Sequence, residues 1–155
     1  MPGERTSSRT VQAAVDFLRG AGQTPVVCRK EIYGFVLNRL QTALLREALH
    51  LHREGVASAA DIDRVVTDGL ALRWAFLGPF AVEHTNAASL EEDLTKFGPV
   101  IRSLFDSLGD DYDGPTADDV ARLAAELEEI AGGRSHPELV AYRDRMVGEL
   151  RALKG

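Results

Sequence analysis

The sequence is short of the features that would tie it to several common ways of working. It holds one cysteine, Cys28, so no internal disulfide can form. With Val26 and Val27 beside it, Cys28 reads as a small buried apolar residue, and a reducing cytoplasm is the expected compartment. No apolar run approaches the roughly 20 residues a helix needs to cross a bilayer. Met1 to Thr10 lacks the apolar middle region of a secretory signal, so neither secretion nor membrane attachment is expected. Positive charge is also scarce. The 18 Lys and Arg against 24 Asp and Glu leave a formal net charge of -6, which opposes long-range attraction to phosphate backbones and argues against a nucleic-acid partner. Neither an internal repeat nor a low-complexity tract occurs; the turn-rich acidic stretch from Gly109 to Pro115 reads as a surface connection.

What is present suits a folded, water-facing protein: 45% hydrophobic and 27% charged residues. A chain of 155 residues suits one domain, which would bury about two thirds of the surface it exposes when unfolded. Ser7 and Ser8 can cap a helix from about Arg9 to Gly20, with Val11, Val15 and Leu18 on one face. Pro25 to Cys28 is a short β-type run with nothing to pair with, as at the end of an α/β unit. After Tyr33-Gly34 a long helical pattern runs to Gly55, and Phe35, Val36, Leu37, Leu40, Leu44, Ala48 and Leu51 cover more than one of its faces. Ser58 should cap a short helix holding Ile62, Val65 and Val66, which Gly69 is expected to end. Gly78-Pro79 marks another helix start, because proline at the first helical position lacks only an amide hydrogen that would go unpaired there. Further helices are expected over Leu90 to Leu108, Ala117 to Ala131 and Pro137 to Leu153.

One residue stands out chemically. Asn38 lies about one turn into the long helix among apolar neighbours, where its amide competes for backbone bonds and makes it a mediocre helix former. Either it serves a pocket, binding a substrate oxygen or orienting a partner side chain, or it bonds its own helix. The histidines suggest no metal site. His50 and His52 stand two apart and so point to different faces of a helix, and His136 precedes Pro137 in a turn. Acidic residues at 91–93, 118 and 119 sit where negative charge favours a helix N-terminal turn.

The segment Lys30-Glu-Ile-Tyr-Gly-Phe-Val-Leu-Asn-Arg-Leu-Gln41 resembles the start of the C-terminal domain of 3-hydroxyacyl-CoA dehydrogenases, whose hallmark is Gly-Phe, two apolar residues, then Asn-Arg-Leu. Asp61, Asp63, Gly69 and Gly78-Pro79-Phe80 follow in that family's order, so the resemblance extends from about Thr6 to Phe105. Leu72-Arg-Trp-Ala-Phe-Leu-Gly-Pro79 and His84-Thr-Asn-Ala87 look closer to its lambda-crystallin and L-gulonate 3-dehydrogenase branch.

The resemblance implies an all-α fold, a helical bundle of the 6-phosphogluconate dehydrogenase C-terminal type. Residues 1–30 would be the remnant helix and strand of a nucleotide-binding α/β domain, and 31–155 the substrate and dimerisation domain. It places Asn38 at the family's active-site asparagine, with Phe35, Arg73 and His84 as substrate contacts; Arg73 would offer its planar guanidinium to a carboxylate. For Arg73 a surface or subunit-interface role, and for His84 a structural hydrogen bond, stand beside those readings. Arg39 and Gly34 would be structural.

The family's dinucleotide site, its paired histidine and glutamate and its serine belong to the N-terminal half and cannot be located in this sequence. Gly20-Ala-Gly22 follows a helix, lacks the third glycine and precedes Pro25, so it reads as helix-ending punctuation. No cofactor is therefore expected in this chain, NAD being expected only with the N-terminal half. The expected function is the substrate-binding and dimerisation domain of an NAD-dependent 3-hydroxyacyl-CoA or 3-hydroxy acid dehydrogenase, a homodimer that does not transfer hydride alone. Its substrate would be a small hydroxy acid or an acyl-CoA. Alternatives are a free-standing domain recruited as a cofactor-independent enzyme or binding module, and a purely structural dimer.

Overall fold

The computed structural model describes residues 2–86, 90–108 and 116–154, with side chains except at 90, 91, 93, 94, 128–130 and 154. All regular structure among the described residues is helical. The helices are α1 (Ser8–Gly20), α2 (Phe35–Arg53), α3 (Ala59–Arg64), α4 (Ala71–Trp74), α5 (Pro79–His84), α6 (Leu90–Ser107), α7 (Ala117–Ile130) and α8 (His136–Lys154), with a π-helical turn, Val65–Leu70, joining α3 to α4.

Local chemistry fixes most of these boundaries. The Ser7 hydroxyl accepts the Thr10 N–H and starts α1. The Ser58 hydroxyl accepts the Asp61 N–H and donates to the Asp61 carboxylate at 2.7 Å, and so starts α3. Pro79 occupies the first position of α5 behind Gly78. At Gly69 the expectation of a stop fails. That glycine keeps a right-handed backbone, so it cannot form the left-handed cap that ends a helix, and the chain continues through the π turn into α4. Arg73, read from sequence without an assigned element, is therefore helical.

The chain divides into two compact units, residues 1–45 and 46–155. In the first, α1 turns Val11, Val15 and Leu18 towards Pro25–Val27 and forms a shallow apolar groove. The run from Pro25 to Cys28 joins no strand ladder, since the described residues offer it no partner. Cys28 is half-buried, not buried as expected, because Val26 and Val27 themselves face outward. Along α2, Phe35, Val36, Leu37, Leu40, Leu44 and Leu45 are all 37% to 74% exposed.

In the second unit α3 packs on α7, α4 on α5, and α5 on α6. All the residues found buried among those described, His52, Ala59, Val82 and Asp119, lie here. On α8 a stripe of Leu139, Tyr142, Met146, Leu150 and Leu153 at helical spacing remains exposed. No helix among the described residues is long and apolar enough to cross a membrane.

Candidate functional site

The entry to α2 is a tight turn. The Phe35 N–H donates to the Ile32 carbonyl at 3.2 Å, and Gly34, with φ +79°, takes the third position of a type II turn. A Cβ at Gly34 would meet Arg39 Cγ at 3.5 Å and Asn38 Cβ at 3.8 Å, ordinary contacts, so backbone angle and not space demands glycine. Phe35 follows with φ +51°, a left-handed conformation that costs a residue with a side chain about 1–2 kcal/mol. An exposed phenylalanine held there invites a functional explanation, since nothing around it repays the strain by burial.

Asn38 sits three residues on, in the first turn of α2, and is exposed. Its amide makes no hydrogen bond with another described residue, so it does not bond its own helix. Phe35 and Asn38 thus share one helical turn, with an open amide beside open apolar surface. Arg73 lies in α4 and His84 ends α5; these helices pack on each other, and both side chains are exposed without a hydrogen bond or ion pair to another described residue. Phe35 and Asn38 belong to the first unit, Arg73 and His84 to the second. Beyond His84, Thr85 donates to the Val82 carbonyl at 2.7 Å and Asn86 to the Glu83 carboxylate at 3.2 Å, which accounts for two of the motif's polar groups locally. Ala87 and the loop at 109–115 lie outside the described residues.

Sequence reading missed one arrangement. His52, 7% exposed, meets Glu126 with its Nε2 2.7 Å from Oε1, while Glu126 Oε2 accepts the Ala59 N–H at 2.7 Å. The first of these hydrogen bonds, then the second, holds the Glu126 carboxyl below the usual carboxylate range. His50, on another face of α2, is half-buried, in accord with the two-residue spacing. No local signal could have paired residues 74 positions apart. The described residues hold no group of three or more potential metal ligands.

Two further acidic groups are structural. Asp119 accepts both the N–H and the hydroxyl of Thr116, at 2.9 and 2.8 Å, and pairs with Arg122 at 2.7 Å. These bonds lower its pKa to about 2, the Thr116 backbone N–H contributing most. Glu138 does the same for Ser135 at the start of α8. The turn at Gly20–Gly22 does not fit a dinucleotide phosphate: Gly22 N–H donates to the Arg19 carbonyl and Gln23 N–H to the Leu18 carbonyl, so the amides that would cradle an anion already close the end of α1.

Residues 34–114 match the family model described as 3-hydroxyacyl-CoA dehydrogenase, C-terminal domain. The chain is 39% identical over 157 residues to L-carnitine dehydrogenase of Nocardiopsis dassonvillei, covering 98% of this chain and 46% of that protein. It is 35% identical over 161 residues to lambda-crystallin of Oryctolagus cuniculus, covering 99% of this chain and 49% of that one. Among solved structures, it superposes on 5-formyl-3-hydroxy-2-methylpyridine 4-carboxylic acid 5-dehydrogenase, an NAD+-dependent dismutase, with TM-score 0.70 and 26% identity, over 99% of this chain and 49% of that one. It thus spans about half the length of the curated relatives it matches. Lambda-crystallin stands among them, in agreement with the branch indicated by residues 72–87. With the hallmark Gly34-Phe35 and Asn38-Arg39-Leu40 inside the matched range, the chain belongs to the 3-hydroxyacyl-CoA dehydrogenase family, as its C-terminal domain.

Proposed function

We propose that this chain acts as the substrate-facing and dimer-forming half of an NAD-dependent dehydrogenase of small 3-hydroxy acids, residues 1–30 being the end of the nucleotide-binding domain and 31–155 the substrate domain. The observation that carries this reading is the open turn of α2, where Asn38 presents an amide unbonded among the described residues beside a left-handed Phe35 within the family's matched range. Asn38 donates to, or orients, the oxygen at the reacting carbon, and Phe35 supplies an apolar wall. Arg73 binds the substrate carboxylate through two parallel hydrogen bonds, and His84 contributes a polar contact near it. The similarity to proteins named as dehydrogenases of L-carnitine and of a pyridine carboxylic acid supports a small acid over a long acyl chain. Hydride transfer requires a bound nicotinamide, and the amides of the Gly20–Gly22 turn already close the end of α1. This reading assigns that step to a nucleotide-binding half.

Homodimerisation is part of the same reading. Apolar residues on several faces of α2, together with the stripe on α8, leave more apolar helix surface than a lone domain has use for. The protein is expected in the cytoplasm. The decisive test joins this chain to a nucleotide-binding half and compares Asn38→Ala with the parent. Loss of a donor aimed at the reacting oxygen should lower kcat/KM by about 10²–10³, and Arg73→Lys should raise KM by roughly tenfold with smaller change in kcat. An Asn38→Ala enzyme of full activity would refute the assignment. The similarity to lambda-crystallin favours one rival, a structural dimer, which predicts a stable dimer and no turnover in the joined protein.

A further inference from the structure

Within the second unit, α7 is attached in an unusual way. It packs on α3, yet its apolar residues Val120 and Leu127 are 53% and 47% exposed. Beside that packing, one carboxylate of α7 reaches two other elements: Glu126 meets His52 at the end of α2 through one oxygen and the Ala59 N–H at the start of α3 through the other, both at 2.7 Å. The histidine is shielded while the glutamate side chain is 37% exposed, so a proton from solvent can reach the carboxylate without the pair first opening.

We propose that the His52–Glu126 pair is a latch that holds α7 on the corner between α2 and α3, and that α7 detaches from this corner, without unfolding of the unit, when the carboxylate is neutralised. Protonation from solvent removes the anion that accepts from both partners at once; a neutral acid cannot sustain two charge-assisted bonds in that geometry. On α2, Arg53 follows His52, pairs with Glu54 at 3.3 Å and lines one hollow with Asp118, Asp119 and Arg122. On α7, Arg122 favours the anion from one turn away but is tied to Asp119. On α3, Asp61 is turned to Ser58 and Arg64. Because hydrogen bonding to His52 and Ala59 holds the folded carboxyl below its ordinary value, the latch is fully closed above the ordinary carboxylate range and opens as pH falls through the lowered value.

Amide hydrogen exchange of the whole chain tests this, read by helix and corrected for intrinsic rate. Glu126→Gln should speed exchange in α7 and at the start of α3 by roughly tenfold or more while α5 keeps its protection. The parent should show the same local rise on acidification along α7 and at the start of α3, whereas in the variant only the first turn of α7, capped by Asp119, should respond to acid. Unchanged exchange of α7 in Glu126→Gln would overturn the proposal, as would a rise spread equally over α5, which would make the pair an ordinary support of global stability. Should the variant fail to fold, the parent decides alone: local opening of α7 in acid supports the latch, and uniform loss of protection contradicts it.

Discussion

The two units of this chain differ in what they finish for themselves. In residues 46–155 the buried groups are satisfied: His52 and Glu126 hold each other, Asp119 caps α7, and Ala59 and Val82 are enclosed. In the described part of residues 1–45 no residue is buried, and the α2 turn carries a strained Phe35 and an amide without a partner. Buried polar groups must be paired or they cost stability. An open amide beside open apolar surface carries no such constraint and is available to something that arrives. The contrast separates polar groups that the fold pairs from an amide that it leaves open.

Changes in the enclosed region should therefore cost stability, and changes at the open turn should cost it only where backbone geometry is at stake. The largest effect is expected for Val82→Ala, which should lower the unfolding free energy by roughly 1–3 kcal/mol, read from the denaturant midpoint at constant slope. Gly34→Ala should follow at about 1–2 kcal/mol, the cost of forcing a side chain to φ near +79°, despite the free space around it. Ser58→Ala, which removes the cap of α3, should cost about 1 kcal/mol.

Acid should erode the enclosed region through its capping carboxylates. The folded pKa of Asp119, about 2, lies below the ordinary value of 3.8, so its contribution is complete above that ordinary value and disappears as pH falls through the window between them. Glu138 shifts in the same direction. Midpoints measured against pH should fall over that window in the parent and fall less in Asp119→Asn. The smallest effect belongs to Asn38→Ala, which should move the midpoint by less than about 0.5 kcal/mol. A large loss there would make Asn38 a structural residue and collapse the contrast.

These differences also explain what could be read without coordinates. Ser7, Ser58 and Gly78-Pro79 act on the next few residues, so their helix starts were legible. Gly69 does not stop its helix, because a glycine does so only if its backbone turns left-handed, and that depends on how the following residues continue. The apolar neighbours of Cys28 point to burial, but burial requires something to pack over them, and Cys28 is half-buried. The His52–Glu126 pair joins segments far apart in the chain, which periodicity cannot register. Asn38 was visible as an oddity from its neighbours, whereas its assigned role came from the Gly34 to Leu40 motif. Phe35 was named on the same motif, but its positive φ carried no signal of its own.

The proposed division of labour has these residues supply a wall and a polar contact while the electron carrier is held elsewhere. Titrating this purified chain with NAD by calorimetry, with and without a small 3-hydroxy acid, tests that division most directly. No saturable heat and no reduction of the nicotinamide should be observed. Tight binding, or turnover of the hydroxy acid by this chain alone, would contradict it.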